Sequence, residues 1–205
     1  MNKLIAAMAI ALFGAVSLTA YSGDVQSDLQ NNLVRLHIIA NSDNEIDQNI
    51  KLKIRNVILE EEGKNLTAQS ENECIKSIKE RLPEIEKLAN SVLEENGFQY
   101  TARAVYGKFD FPQKEYKNMT LPCGKYYGVR IILGEGAGHN WWCVMYPPLC
   151  MMNDTEAVLS EKSEKILRKN LKPETYDIIT GNDGKVVVKF RIVEAIQELR
   201  QLLAK

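Results

Sequence analysis

The hydrophobic pattern near the start of the chain predicts a strand that leads into a helix. Residues 33–40, LVRLHIIA, are rich in β-branched and large apolar side chains, which is typical of a strand. The polar residues Asn41, Ser42 and Asp43 end this strand and offer a cap for a helix over about residues 44–62. One face of that helix is predicted to enter the core through residues at helical spacing: Ile46, Ile50, Ile54, Val57 and Ile58.

The hydrophobic pattern in the middle of the chain predicts one more helix and then several strands. Apolar residues recur every three or four positions over residues 71–96. Pro83 has no N–H to donate and is expected to kink or split this helix, and Asn96 with Gly97 ends it. Strand-like composition follows in three segments: residues 100–109, 126–133 and 141–146.

The C-terminal part is predicted to contain a helix, a hairpin and a last helix. A moderately periodic stretch covers about residues 154–171. The segments TYDIIT (175–180) and KVVVKF (185–190) flank the sequence Gly-Asn-Asp-Gly, which is the pattern of a β-hairpin. We find no repeat and no low-complexity linker, so the pattern predicts a single α+β domain with helices packed on a mixed sheet of about four to six strands. The last helix has one apolar face: Ile192, Ile196, Leu199 and Leu203.

Residues 1–22 differ from the rest of the chain. Lys3 precedes an apolar run over residues 4–20, which is the profile of a signal peptide, and cleavage after Ser22 would satisfy the preference for small residues. The run also approaches the roughly 20 residues that span a bilayer, so an uncleaved membrane anchor is the alternative. We expect residues 1–22 to be one of these two and residues 23–205 to form a single exported domain.

Charge and metal-ligand spacing exclude several classes of function. Lysines and arginines number 26 against 27 acidic residues, without a block of like charge, so the electrostatic signature of a nucleic-acid-binding protein is missing. His37, His139, Cys143 and Cys150 lack the paired spacing of a zinc site. The acidic residues that follow Asn41 and Ser42 imitate a calcium loop but lack its glycine and its closing glutamate. We therefore expect no nucleic acid, no metal and no cofactor.

The densest cluster of unusual residues is 134–152, GEGAGHNWWCVMYPPLCMM, with both tryptophans, one of the two histidines and two of the four cysteines of the chain. Gly134, Gly136 and Gly138 could indicate a phosphate-binding loop, but such a loop leads into a helix, and a strand-like sequence follows here. A tight connection between two strands that requires positive φ angles explains them better. We predict a turn at these glycines.

The two tryptophans are expected to point to opposite faces of their strand. Because side chains alternate, Trp141 shares one face with Cys143 and Trp142 shares the other with Val144. Either the strand is central and covered on both faces, or one face is open as a contact surface. Aromatic patches on a protein surface mark partner sites, where tryptophan is favoured. The pattern leaves both alternatives open.

Export changes the interpretation of the cysteines, because thiols tend to oxidise outside the cytosol. Cys143 and Cys150 are the favoured disulfide pair and would close a ring of about eight residues, which the chain-entropy model values at roughly 2.5 kcal/mol. The alternative is that both are buried small apolar groups. Cys74 is expected to lie on a helix and to belong to the hydrophobic core. Cys123 is another candidate disulfide partner.

Four segments of the chain resemble the stage II sporulation protein R family and occur in the expected order. The GxGxxNWWCxxxPPLC block within the third segment is the most specific. The region over residues 152–183 matches little beyond its helical character. The segments are VRLHIIANSDNEIDQNIKLKIRN (34–56), VYGKFDFPQKEY (105–116), LPCGKYYGVRIILGEGAGHNWWCVMYPPLC (121–150) and VKFRIVEAIQEL (188–199).

The resemblance implies a role in signalling between cells during sporulation. Members of this family are made in the forespore and secreted across its membrane into the space that faces the mother cell. There they activate a membrane-embedded aspartic protease, which releases the mother-cell sigma factor from its inactive precursor. This chain is then expected to be a messenger, secreted or anchored through residues 1–22, with the protease as its partner and without a small-molecule substrate.

The resemblance brings no active site, so the candidate partner-binding residues are a choice made on their chemistry. His37, in the middle of an apolar strand, is also expected to be a hydrogen-bonded core histidine. A second cluster with His37 is expected near the tryptophan block. The candidates are His139, Asn140, Trp141, Trp142, Pro147 and Pro148, with His37, Asn41, Ser42 and Asp43 as the second cluster.

Two other functions compete with this prediction. A secreted hydrolase acting on cell wall could use Cys143 as nucleophile, with His37 or His139 as base and Glu135 as the neighbouring acid. A cysteine inside a hydrophobic strand should be buried and protonated, or oxidised, which argues against catalysis. The other alternative is a structural envelope protein without a switching role. We expect the chain not to be an enzyme.

Overall fold

The computed structural model describes residues 23–65, 71–116, 118–149 and 161–181. Residues 23–32 are helical and form α1. The other described elements, in chain order, are β1 (Val34–Ile39), α2 (Glu45–Asn65), α3 (Glu71–Glu80), α4 (Leu82–Glu95), β2 (Ala102–Phe111), β3 (Lys114–Tyr116), β4 (Met119–Leu121), β5 (Gly124–Leu133), β6 (Asn140–Tyr146), α5 (Glu161–Asn170) and α6 (Pro173–Thr180).

Four strands form a mixed sheet in the order β2-β5-β1-β6. β1 runs parallel to β5 and antiparallel to β6, and β2 runs antiparallel to β5. β3 and β4 form a separate two-stranded sheet. Helices and strands thus build a mixed α+β fold, as the hydrophobic pattern predicts.

One face of the sheet packs against α2 and α4, and α4 lies against both α2 and β2. Alternate residues of β1 and β5 point into this core because side chains alternate along a strand. Each fully buried Ile or Leu contributes roughly 1.5–3 kcal/mol, so this layer supplies much of the stability. The buried residues include Leu36, Ile38, Val129, Ile131 and Leu133 from the sheet, and Ile50, Ile54, Ile58, Ile85 and Leu93 from the helices.

A second, smaller core lies on the opposite face of the sheet. Leu29 of α1, Met119 and Leu121 of the β3–β4 hairpin, and Leu167 of α5 belong to this core. It includes Val144 of β6 and Tyr126 of β5. Asp28 connects α1 to the start of α6, because its Oδ2 accepts a hydrogen bond from the backbone N–H of Lys172 at 2.9 Å.

Most of the predicted elements in the described part of the chain are confirmed. The strands at residues 33–40, 100–109, 126–133 and 141–146 are present, each with ends shifted by a few residues. Pro83 splits the predicted long helix into α3 and α4, and it occupies the first turn of α4, where its missing N–H costs nothing. The turn of positive φ is confirmed at Gly134 and Gly136, with φ angles of 52° and 63°. The same prediction is wrong for Gly138, whose φ is not positive.

Two details of the predicted helices are wrong. Ile46 was predicted on the core face of α2, yet its side chain is 71% exposed, whereas Asp47 is 6% exposed. The helix begins at Glu45, and in this first turn the polar Asp47 takes the inward position because it accepts hydrogen bonds from neighbouring side chains. α2 also continues to Asn65, whereas the sequence predicted an end at about residue 62.

The segment TYDIIT, predicted as the first strand of a hairpin, is helical and forms most of α6. Pro173 stands in the first turn of this helix and Gly181 caps its end in the left-handed conformation, with φ of 70°. Thr175, Tyr176 and Ile179 are buried at helical spacing. These end signals and the packing prevail over the β-branched composition, and KVVVKF lies outside the described residues.

Several predicted segments fall outside the part of the chain that the structure describes. These are residues 1–22, the start of the helix predicted over residues 154–171, and the last helix. Within the described ranges, no helix is both long and apolar enough to cross a bilayer. The pattern did not predict α1 or the short β3–β4 hairpin, both of which cover the second core.

Candidate functional site

We name the side of the sheet that points away from α2 and α4 the arginine face, after Arg35, Arg103 and Arg130. Its side chains form rows across the strands, because residues paired directly between strands point to the same side. The top row is Arg103, Ile132, Ile39 and Asn140. The second row is Val105, Arg130, His37 and Trp142, and the third is Gly107, Gly128, Arg35 and Val144.

The second core covers the third row and leaves the two rows above it partly open; these two rows are the uncovered rows. Arg35 and Val144 in the third row are completely buried. In the top row, by contrast, Arg103 and Asn140 are exposed and Ile39 is only half-buried. The end of the arginine face at the top row is therefore accessible, and the two middle residues of that row, Ile132 and Ile39, are apolar.

His37 is the most deeply buried polar group of the uncovered rows and is 3% exposed. Arg130 donates from Nε to Nδ1 of His37 at 3.1 Å, so Nδ1 is the acceptor. Nε2 then carries the hydrogen and donates to Oδ1 of Asn140 at 2.7 Å. This is the arrangement of a neutral imidazole, held in one tautomer by a donor on one side and an acceptor on the other.

The environment of His37 keeps its ring uncharged. Burial is the largest cause and lowers the pKa of His37 to about 4, and the positive charge of Arg130 acts in the same direction. The hydrogen bond to Asn140 opposes this shift but is outweighed. At neutral pH, His37 therefore positions its neighbours without adding charge to the face.

Aromatic rings hold this polar cluster in place. The ring of Trp142 stacks on that of His37, with 3.5 Å between centroids and 18° between planes, and meets Phe111 edge-on at 5.1 Å. The guanidinium carbon of Arg130 lies 3.9 Å from the ring centroid of Phe109. Stacking and cation–π contacts of this kind each contribute about 0.5–2 kcal/mol. The cluster is thus organised before anything binds.

Two loops border the top row at the end of β1, and a buried carboxylate ties them to α2. Oδ2 of Asp47 accepts hydrogen bonds from Nδ2 of Asn41 at 2.8 Å and from Oγ of Ser42 at 2.6 Å, while Oδ1 accepts one from the Tyr100 hydroxyl at 2.5 Å. Burial alone would raise the pKa of Asp47, but these hydrogen bonds outweigh it and hold the pKa below its ordinary value. Oδ1 of Asn41 accepts the backbone N–H of Glu135 at 2.9 Å.

An exposed hydrogen bond between two side chains joins the same two loops. Nδ1 of His139 is 2.5 Å from Oδ1 of Asp43, and this hydrogen bond lowers the pKa of Asp43. The loops approach so closely that a Cβ at Gly138 would lie 2.2 Å from the backbone oxygen of Ser42. Gly138 is therefore required for close contact.

The structure brings together some of the predicted site residues. His37, Asn140 and Trp142 form the cluster of the second and top rows, and Asn41, Ser42, Asp43 and His139 occupy the loops beside it. The second predicted cluster thus lies next to part of the first. The uncovered rows also contain residues that the sequence reasoning missed: Arg103, Val105, Arg130 and Ile132. Alternation along β2 and β5 was the signal that could have placed them on one face.

The structure places the remaining predicted residues elsewhere. Trp141 points to the helix side of the sheet, where its ring centroid is 4.1 Å from the guanidinium carbon of Arg55. Pro147 and Pro148 follow the other end of β6, and the bond between Tyr146 and Pro147 is cis. The backbone oxygen of Pro148 accepts a hydrogen bond from Oγ of Ser163 at 2.7 Å. These three residues do not adjoin the uncovered rows.

The cysteine and histidine positions do not assemble the alternative hydrolase site. Cys143 is disulfide-bonded and 3% exposed in the core under the helices, so it offers no thiolate. His37 points to the opposite face of the sheet. Cys123 keeps its thiol and is therefore not the partner of Cys143; Cys150 lies outside the described residues, so the Cys143–Cys150 pairing stays a prediction. Among the described residues, no three His, Cys, Asp or Glu side chains cluster as a metal site.

The fold and the site define a class of protein: a mixed α+β domain with one partly uncovered, arginine-bearing sheet face. The model of the stage II sporulation protein R family matches residues 30–156. Stage II sporulation protein R of Bacillus subtilis (strain 168) is 35% identical over 182 residues, which cover 81% of this chain and 80% of that protein. The chain therefore belongs to the stage II sporulation protein R family, and its role is in sporulation. No solved structure gives a significant match.

Proposed function

We propose that this protein is an intercellular signal of sporulation that activates a membrane-embedded aspartic protease by docking on it. The protease then converts the precursor of the mother-cell sigma factor into its active form. The chain is secreted from the forespore into the space facing the mother cell, and residues 1–22 act as signal peptide or membrane anchor. Membership of the family and the leader-like sequence of residues 1–22 support this proposal.

The observation that carries the docking part of the proposal is the cluster of His37, Arg130, Asn140 and Trp142 within the uncovered rows. The apolar side chains of Ile39, Ile132 and Val105 belong to the same rows. Rigid aromatic groups and arginine are favoured at the energetic centres of protein interfaces. Because hydrogen bonds and stacking already hold these side chains, little conformational entropy is lost when a partner binds.

Docking switches the protease only if the messenger prefers its active state. A tenfold shift in that equilibrium requires about 1.4 kcal/mol of differential affinity. One or two well-packed side chains at an interface supply this amount. The proposal therefore needs no catalytic group in the messenger.

The two adjacent tryptophans provide the test, because they lie on opposite faces of one strand. We expect Trp142→Ala to reduce processing of the sigma-factor precursor at least tenfold in a reconstituted system with the protease in vesicles. Trp141→Ala, on the helix side, should impair processing only as far as it lowers stability. Trp142→Phe keeps a ring against His37 and should restore part of the activity.

Unfolding curves of each variant separate a loss of contact from a loss of fold. Normal processing by a folded Trp142→Ala variant would show that this side chain is not an anchor. Failure of the unaltered chain to stimulate processing would instead reject protease activation as the function.

A further inference from the structure

The arginine face carries positive charge that no acidic residue of its strands offsets. The side-chain positions that β1, β2, β5 and β6 contribute to it include Arg35, Arg103 and Arg130, but no aspartate or glutamate. The chain as a whole has a net charge of -1, so this distribution is local and not a consequence of composition.

We propose that the uncovered rows bind an extended segment of a partner protein that presents carboxylate side chains to Arg103 and Arg130. This inference rests on the proposed docking function and adds the chemistry of the partner to it. The segment lies over an apolar floor formed by Ile39, Ile132 and Val105, which are all half-buried. Its carboxylates lie toward β2 and β5, because both arginines are there.

Neither arginine is neutralised within the described part of the chain. The ion pairs found there involve other residues, and neither Arg103 nor Arg130 takes part in one. Glu135, in the loop beyond the top row, is exposed and pairs with neither arginine. A carboxylate that arrives on this face therefore gains attraction without having to displace an existing acidic partner.

The two arginines contribute in different ways. Arg130 is held by His37 at Nε and by the ring of Phe109, so its terminal nitrogens keep a fixed direction. An arginine edge presented in this way suits a bidentate contact with a carboxylate. Arg103 is exposed at the rim, where a charge chiefly accelerates association and adds salt dependence.

The width of the sheet sets the length of the bound segment. The top row crosses three inter-strand spacings between Arg103 on β2 and Asn140 on β6, which amounts to about 14 Å at about 4.8 Å per spacing. An extended chain covers this distance with four or five residues at about 3.3 Å each. Asn140, exposed at the other end of the row, can hydrogen-bond to the backbone of such a segment.

The charge proposal is tested with the full chain and the vesicle-reconstituted protease. Arg103→Glu should lower precursor processing at least tenfold, and Arg103→Gln should lower it less. Lys87→Glu makes the same change of charge at an exposed position of α4 and should leave processing unchanged. Raising the ionic strength from about 0.15 M to about 1 M, where the Debye length falls from about 8 to about 3 Å, should weaken activation by the unaltered chain.

Equal activation by the unaltered chain and Arg103→Glu would overturn the inference and leave the proposed function intact. Lack of activation by the unaltered chain would reject the proposed function but not the carboxylate site, because a second measurement tests that site without the protease. In that measurement, peptides of about eight residues with alternating Glu and Val are titrated against the chain, and the indole N–H of Trp142 is followed by NMR.

The Glu peptide should shift that signal and should bind at least tenfold more tightly than a twin with Gln in place of Glu. The same shift with both peptides, or with neither, would refute the carboxylate site. Stronger binding of anionic lipid vesicles or of DNA to the same residues would refute it as well, in favour of phosphate recognition.

Discussion

The two faces of the central sheet use the same strands for different purposes. On β5, Ile131 is completely buried under the helices, whereas its neighbour Ile132 is half-buried in the top row of the other face. The helix side is built mainly from aliphatic residues, and the arginine face has charged and aromatic ones in rows. Adjacent residues of one strand can therefore serve stability and recognition separately, and substitutions at such pairs test this division.

The largest effect on stability is expected at Ile131. Ile131→Ala removes a completely buried side chain and should lower the free energy of unfolding by about 2–5 kcal/mol. Ile132→Ala, a chemically identical change one residue later, should cost about 1 kcal/mol because the side chain is only partly removed from water. Urea unfolding followed by tryptophan fluorescence measures both.

Processing of the sigma-factor precursor should show the reverse order at this pair. Under conditions where both variants are folded, Ile132→Ala should activate less than Ile131→Ala does, because only Ile132 belongs to the proposed docking surface. If Ile131→Ala impaired activation more strongly while fully folded, the helix side would be the contact surface.

A pH-dependent loss of stability is expected from the arginine face. The pKa of folded His37 is about 4 and lies below its ordinary value of 6.5, so between these values the unfolded chain binds a proton that the folded chain does not. The contribution of His37 to the free energy of unfolding is therefore fully present above about pH 6.5 and is lost as the pH drops toward 4. The slope approaches 1.4 kcal/mol per pH unit and the total loss is about 3 kcal/mol.

His37→Gln provides the control for this titration, because glutamine can hydrogen-bond but does not titrate. Its stability should be nearly flat between pH 6.5 and 4. Below that range, both proteins should lose stability as Asp47, whose pKa is depressed in the folded state, takes up a proton. Identical slopes for both proteins between pH 6.5 and 4 would contradict a neutral, buried His37.

Sequence reasoning predicts the local elements well where the pattern and the packing agree. β1 was predicted from its β-branched and large apolar side chains, and it is buried along most of its length. Pro83 divides the second helix because proline fits only its first turn. TYDIIT misleads because its β-branched residues suit a strand, while Pro173 and Gly181, which mark the ends of a helix, are individually weaker signals. The turn sequence after Gly181 added to the error.

The candidate site could be predicted only in part, because its contacts join distant positions. His37 is the hydrogen-bonded histidine that its apolar surroundings indicate, but its partners Arg130 and Asn140 lie 93 and 103 residues away. Only the strand order, with β1 between β5 and β6, brings them together. Strand alternation separates Trp141 from Trp142, yet it does not reveal which face the helices leave uncovered.

The smallest effect on stability is expected at the hydrogen bond between Asp43 and His139, in the loops next to the uncovered rows. Both side chains are largely exposed, at 57% and 78%, so water screens their attraction. His139→Gln and Asp43→Asn should leave the midpoint of urea unfolding unchanged within error. Gly138→Ala should be clearly destabilising by comparison, because its Cβ would collide with the Ser42 backbone.

His139→Gln also distinguishes docking from chemistry at the edge of the arginine face. A messenger that acts by shape should keep most of its activating effect when His139 becomes Gln, because the ring contributes no buried contact. A hydrolase that relies on His139 as a base would lose its turnover completely while remaining folded. Loss of precursor processing in a stable His139→Gln variant, with Ile132→Ala unaffected, would move the functional surface from the sheet to the loops.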